Sequence, residues 1–307
     1  MLDFSNLHKS VLLDEVLHTL QPQEQKIYLD CTFGAGGYSL AILQHCNCTV
    51  VALDRDSSVL PIAEMFKKQF AERFLFQQSC FSQAKQALTN LGIDSVDGMV
   101  LDIGVSSMQL DRHERGFSFD ADCRLDMRMD QSQPISAYDI VNNSCEPELA
   151  DIIYNFGDEP KARLIAKKIQ KEKPIYSCLQ LANIVRSCYH NRHKTDPATK
   201  TFQAIRIAVN QELNELSLAL QESLGILKKN ARLVAVSFHS LEDKIIKDFF
   251  KKQSGADVAF SRYQPVHNQQ YKPNFYLQYK QAISPTEQEI SQNPRSRSAK
   301  MRWGVRV

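Results

Sequence analysis

Three aspartates at the ends of short apolar runs are the residues of this chain best placed to do chemistry. Asp30 ends the first run in IYLDC (27–31), Asp54 ends TVVALD (49–54), and Asp102 sits in GMVLDI (98–103). The first run leads directly into Cys31-Thr32-Phe33-Gly34-Ala35-Gly36-Gly37-Tyr38-Ser39, with a helical pattern after it. Glycines here let the backbone turn tightly and approach a ligand, and a helix start offers unpaired N–H groups. Asp54 follows Gly34 by 20 residues, where a carboxylate can accept hydrogen bonds from two ribose hydroxyls. The combination implies a nucleoside cofactor.

Two details favour S-adenosylmethionine over a dinucleotide. The GxGxxG pattern that brings backbone against a pyrophosphate is incomplete, because Gly37 adjoins Gly36. Asp30 also precedes the loop, where it would repel phosphate but could hold a cationic amino-acid group. A plainer role for Asp30 is a helix or turn cap. Asp102 leads into Gly104-Val105-Ser106-Ser107-Met108-Gln109, so its carboxylate and the hydroxyls of Ser106 and Ser107 are candidates to face both cofactor and acceptor, with Asp102 or Ser106 to accept a proton. LVAVSF (233–238) delivers His239, a further candidate acceptor. There the competing reading is a helix start, with Ser240 as N-cap and Asp243 completing a capping-box-like pair.

The elements that must hold these residues alternate along the first hundred positions. Strand-like runs at 27–31, 49–54, 74–77 and 98–103 are separated by helical spacing at 39–45, 59–70 and 82–91. Such alternation predicts parallel βαβ units with ligands bound outside the carboxyl ends of the strands. After Leu110 comes an irregular loop and then helical stretches at 150–156, 162–171, 178–189 and 201–220. Strand signals return at 233–238 and at FYLQY (275–279). The expected architecture is an α/β parallel sheet formed by 1–110 and 208–307, interrupted by a helical insertion domain at 111–207.

With 43% hydrophobic and 23% charged residues, the chain has the composition of an ordinary globular protein and not of a disordered one. No apolar run has membrane-spanning length and the first residues lack a secretory pattern, so a cytoplasmic location is expected. The eight cysteines show no CxxC spacing, and with His190 and His193 set among basic neighbours no metal is expected. The net charge of +2 conceals a division: residues 111–159 carry 4 Lys or Arg against 12 Asp or Glu, and residues 160–206 carry 11 against 2. Arg163, Lys167 and Lys171 recur at helical spacing, with Lys161, Lys168 and Lys173 close by. The last sixteen residues hold Arg295, Arg297, Lys300, Arg302 and Arg306 and no acid. Two basic segments beside a nucleoside-cofactor motif predict an anionic partner, with Arg163, Lys167, Lys171, Arg295 and Arg297 as candidate contacts to it.

Nine ordered segments resemble the signatures of the MraW-type small-subunit ribosomal RNA cytosine-N4 methyltransferases. They are 8–15, 30–39, 54–56, 101–110, 115–119, 125–129, 206–215, 237–243 and 295–300, covering nearly the whole chain. The resemblance implies a Rossmann-like methyltransferase sheet with a helical insertion domain. It implies methylation of N4 of a cytidine near the decoding centre of 16S ribosomal RNA, with S-adenosylmethionine as donor, the small ribosomal subunit as partner and the basic residues named above as RNA contacts. It also places cofactor contacts on Gly36, Gly37, Tyr38, Asp54, Phe81, Asp102 and Gln109. The chain departs from the family pattern where Tyr38 replaces a histidine, Met108 a proline, and Cys123-Arg124 a Gly-Pro pair. Nothing in the sequence separates a monomer from a homodimer. Competing classes are an NAD-type oxidoreductase, which S-adenosylmethionine retention would exclude, and a ribosome-assembly factor without catalysis, which would transfer no methyl group.

Overall fold

The computed structural model describes residues 10–119, 122–189, 195–255, 272–278 and 281–307. His8 and Lys9 of the first signature, His190, His193 and Tyr279 lie outside the described residues. The chain divides into two units, Met1–Gly104 with Leu213–Val307, and Val105–Glu212. The expected boundaries at 111 and 207 both fall inside the second unit.

The first unit is built on one sheet: β1 (Ile27–Asp30), β2 (Thr49–Asp54), β3 (Phe74–Gln78), β4 (Val96–Asp102), β5 (Leu227–Ser237), β6 (Phe275–Tyr276) and β7 (Lys300–Arg306). Their order is β3-β2-β1-β4-β5-β7-β6. The first five strands run parallel, and β7 is antiparallel to both β5 and β6. This is a Rossmann-like sheet whose order reverses between β1 and β4, the position at which such sheets open a crevice. Burial on both faces explains why these strands read as near-continuous apolar runs. Leu29, Leu53, Met99, Leu101 and Leu233 share one core with Leu88, Leu216 and Phe249 from the helices Ala84–Asn90, Glu212–Ile226 and Ser240–Gln253. The helix Leu13–Leu20 covers the other face, where a Cβ on Gly98 would stand 2.7 Å from Leu20 and 2.9 Å from Tyr28.

Two expectations are corrected. The terminal segment is not simply a basic patch, because Lys300–Arg306 is strand β7. Arg302 meets the Asp243 carboxylate at 2.6 Å, Lys300 meets it at 3.4 Å, and Arg306 donates to the Asn274 carbonyl at 2.9 Å. Arg295 and Arg297 stay exposed. The helical stretch 201–220 is two helices, Ala198–Asn210 and Glu212–Ile226, separated by Gln211 in the left-handed region at φ 51°.

Among its described residues the second unit packs six α-helices, Ser107–Asp111, Ala137–Asn143, Glu146–Gly157, Ala162–Glu172, Cys178–Arg186 and Ala198–Asn210. Its core includes Leu149, Ile153, Ile165, Ile169, Leu181 and Ile205. A buried Asn210 side chain explains the helix break: its amide donates to the Met127 carbonyl and its oxygen accepts from the Met129 amide, both at 2.8 Å. Arg115 reaches the Arg128 and Met129 carbonyls, each at 2.9 Å, and Arg128 pairs with Asp126 at 2.8 Å. Gly116 adopts φ 74°, and a Cβ there would lie 2.6 Å from the Arg124 carbonyl oxygen. The departure at Cys123-Arg124 is accommodated by a short bridge in which the Cys178 amide donates to Cys123 at 2.9 Å and Arg124 pairs with Ser177. The Arg115, 125–129 and Arg206 signatures thus act together as a clamp on a loop.

Candidate active site

Parallel pairing brings the ends of β1, β2 and β4 side by side and so concentrates carboxylates there. Asp30 and Asp54 are each held by hydrogen bonds of their own. Asp30 is fully buried and accepts from the Ser39 hydroxyl at 2.7 Å and the Thr32 amide at 3.1 Å. It caps the turn and the first turn of the following helix, and burial raises its pKa above the usual carboxylate range. Asp54 accepts from the Gly34 and Asp56 amides, both at 2.8 Å. Burial outweighs those two donors and pushes its carboxyl up to about 6. Each oxygen of Asp54 still has a second lone pair for a hydroxyl donor.

Asp102 differs from both. Its amide donates to the Thr32 hydroxyl at 2.8 Å, which ties β4 to the glycine loop, yet its Oδ1 is shielded and has no hydrogen-bond partner among the described residues. Burial, reinforced by the negative charges of Asp30 and Glu242, pushes this carboxyl up to about 8 against a lowering by the Tyr38 hydroxyl. A buried acid without a full set of partners stays neutral at pH 7 unless a positive charge arrives beside it.

The loop geometry has a packing cause as well as a ligand-binding one. Gly36 lies at φ 82°, and a Cβ would stand 2.5 Å from the Phe66 ring and 2.9 Å from Phe33. Phe33 meets Phe66 edge-on at 5.1 Å and Phe74 at 5.4 Å, so the aromatic cluster sets the path of the loop. Gly37 opens the helix Gly37–His45. Tyr38 is buried, with its hydroxyl donating to the Val11 carbonyl and lying against Asp102. Phe81 starts the turn after β3 and is partly buried against the sheet core.

His239 is the cap of the helix Ser240–Gln253, and Glu242 is its capping-box partner. This corrects the expected Ser240–Asp243 pair: the helix starts one residue earlier, and Asp243 is engaged by Arg302. The fully buried Glu242 accepts from the Phe238 amide at 2.8 Å and lies 2.9 Å from His239 Nε2. Glu242 escaped the sequence reading although the His-x-x-Glu spacing was visible. It adds to the field that keeps Asp102 neutral.

Ser106 and Gln109 belong to the second unit and form a capping box for the helix Ser107–Asp111. The Ser106 hydroxyl accepts from the Gln109 amide at 3.2 Å, and the Ser106 amide donates to Gln109 Oε1 at 3.0 Å. Their Ser-x-x-Gln spacing is the signal that reveals it.

The cationic helix divides by phase. Ala162, Ile165, Ala166 and Ile169 are buried, and Arg163, Lys167 and Lys171 point out to solvent. Lys161, Lys168 and Lys173 do not share that exposed face: they donate to the carbonyls of Cys188, Ser187 and Ser144 at 2.9, 2.7 and 2.7 Å. Such bonds at helix ends satisfy carbonyls left without intrahelical partners.

The chain matches the model of the MraW methylase family over residues 5–307. It belongs to that family. Among curated members, ribosomal RNA small subunit methyltransferase H of Orientia tsutsugamushi (strain Ikeda) is 48% identical, with 99% of each chain covered. The protein of the same name from Rickettsia conorii is 50% identical, with 96% of each covered. Among solved structures, an rRNA methylase from Streptococcus thermophilus overlays 96% of this chain and 93% of its own at 8% identity and a TM-score of 0.41, too loose a likeness to bear on function. No described helix of this family member is long and apolar enough to cross a membrane.

Proposed function

We propose that this protein is an S-adenosylmethionine-dependent methyltransferase of small-subunit ribosomal RNA, and that it methylates N4 of a cytidine in the decoding region. The name shared by relatives about half identical supports the substrate class. The observation that carries the chemistry is the acid array at the strand ends, with Asp102 Oδ1 buried and without a partner. Among the described residues these groups suit a cationic nucleoside: Asp54 retains lone pairs for ribose hydroxyls, and Asp102 gains a counter-charge. When bound, S-adenosylmethionine supplies an electrophilic methyl group on a sulfonium.

The rest of the chemistry falls to the protein. The exocyclic N4 of cytosine is a weak nucleophile, so it must be held in line with the methyl carbon and given a route for proton loss. A neutral Asp102 cannot accept that proton. Ionised by a neighbouring cation, it can, which makes donor binding a precondition for its role as acceptor. Ser106 and His239 are the alternative acceptors, the first within its capping box and the second beside Glu242. The target base must leave its stack to enter such a site, and Arg163, Lys167 and Lys171, with Arg295 and Arg297, are proposed to grip phosphates.

Mapping methyl groups on small-subunit RNA from cells that lack and then regain this protein tests the proposal. The expected result is an N4-methylated cytidine that appears only on restoration. A map unchanged by restoration would refute it.

A further inference from the structure

The sheet unit contains a cavity of about 490 Å³ between the end of the helix Leu13–Leu20, Arg232 of β5, Trp303 of β7 and residues Gln281, Ala282 and Ile283. Volumes of about 300–1,000 Å³ are typical of small-ligand sites. Arg232 pairs with Gly98 on β4, and Val236 pairs with Asp102. The cavity wall is therefore about 13 Å back along the strand from the Asp102 end, at about 3.3 Å per residue.

Three features of the wall point to one class of ligand. Arg232 is half-buried, with one amino group on the Thr19 carbonyl at 2.7 Å, and it pairs with no carboxylate among the described residues. Its guanidinium lies 5.9 Å from the centroid of the Trp303 ring, so charge and aromatic face form one surface. The two side chains share a face of the sheet because Arg232 opposes Val305 and Trp303 opposes Val234 across the β5–β7 pairing. The exposed rim offers His18, Gln21 and Gln281, and no described residue lining the cavity is acidic.

A ring face, a guanidinium without counter-charge among the described residues and amide edges match the base face, the phosphate and the base edge of a nucleotide. The base can stack on the indole, the phosphate can meet the guanidinium, and the base edge can exchange hydrogen bonds with the glutamines. An apolar ligand would leave Arg232 facing hydrocarbon, and a cationic one would meet like charge. We propose that this cavity is a second nucleotide-binding site, taking an unpaired ribonucleotide with its base on Trp303 and its phosphate toward Arg232. The inference deepens the ribosomal RNA reading on which it rests: the natural occupant is a nucleotide of the substrate strand remote from the methylated base. A free mononucleotide would satisfy the same chemistry.

Trp303 is the only tryptophan in the chain, so its fluorescence reports on this cavity. Full-length protein saturated with S-adenosylhomocysteine is titrated with a single-stranded small-subunit ribo-oligonucleotide and, separately, with AMP and UMP. Saturable quenching is expected, weakened about tenfold by Arg232→Gln and severalfold by His18→Ala with Gln281→Ala, with S-adenosylhomocysteine affinity unchanged. Saturation by the oligonucleotide at far lower concentration assigns the RNA strand, and saturation by mononucleotides alone assigns a free nucleotide. Should Arg232→Gln unfold through loss of its bond to Thr19, the His18 and Gln281 double variant decides. No quenching by any probe, or quenching indifferent to these variants, overturns the site. Methyl transfer to small-subunit RNA is assayed in parallel, so its absence with quenching intact would reject the functional reading and leave the cavity assignment standing.

Discussion

The strand ends of the first unit and the helix Ala162–Glu172 of the second hold charge in opposite ways. At the strand ends Asp30 is buried and Asp54 and Asp102 are half-buried, and desolvation without enough counter-charge raises the pKa of all three. On the helix, Arg163, Lys167 and Lys171 stand in solvent and make no ion pair among the described residues. Buried acids store an unfavourable interaction that a cationic ligand relieves. Exposed bases store nothing and act only through the field they present to a polyanion. The first arrangement suits chemistry at one point, and the second suits sequence-independent grip.

The largest effect expected is at Asp54. Asp54→Ala should weaken S-adenosylhomocysteine binding by a hundredfold or more, since two charge-assisted hydrogen bonds of roughly 1.5–3 kcal/mol each are removed. It should also lower stability, because the Gly34 and Asp56 amides lose their acceptor. Calorimetry beside thermal unfolding separates the two effects, and a folded variant with unchanged affinity would remove Asp54 from the site.

Next comes the helix face. Reversing Arg163, Lys167 and Lys171 to Glu should reduce affinity for the small subunit about tenfold or more at physiological salt. The slope of log K against log salt should flatten by about 0.7–0.9 for each phosphate that the helix no longer neutralises. Changing Lys161, Lys168 and Lys173 to Gln should leave that slope alone and cost stability instead. If both triples alter the slope equally, phase on this helix does not decide which charges meet RNA.

How much of this contrast was legible in the sequence depends on what each residue needed. Strands β1 to β5 declared themselves through apolar runs, and 49–54 coincides with β2. Strand β7 was hidden by its charges, although Lys300, Arg302 and Arg306 alternate with Met301, Trp303 and Val305 at the strand period of two. Asp54 could be placed by spacing alone. The neutrality of Asp102 could not, because it depends on burial and on Asp30 and Glu242, which are distant in sequence and adjacent only in the fold. The break at Gln211 likewise has no local punctuation, since Asn210 is drawn to Met127 and Met129 about 80 residues away in the chain.

A smaller effect concerns the ligand-free protein and pH. A carboxyl whose pKa is raised on folding contributes stability that is fully present below its unfolded value of about 3.9 and is lost as pH rises through the folded value. For Asp54 and Asp102 the folded values are about 6 and about 8. Unfolding free energy should therefore fall between about pH 4 and 8, by at most about 1.4 kcal/mol per pH unit for each proton. Asp102→Asn should flatten the part of the decline between about pH 6 and 8, as denaturant titrations at stepped pH would show. An identical decline in that variant would assign it to other groups.

A cation bound at the strand ends should ionise Asp102, and on this the proposed chemistry turns. Calorimetric titration of S-adenosylmethionine at about pH 7, in buffers of differing ionisation enthalpy, counts the protons released on binding. Release approaching one proton is expected in the wild type, far less with the neutral S-adenosylhomocysteine, and little with either ligand in Asp102→Asn. Equal release in wild type and Asp102→Asn, or none in either, would contradict it.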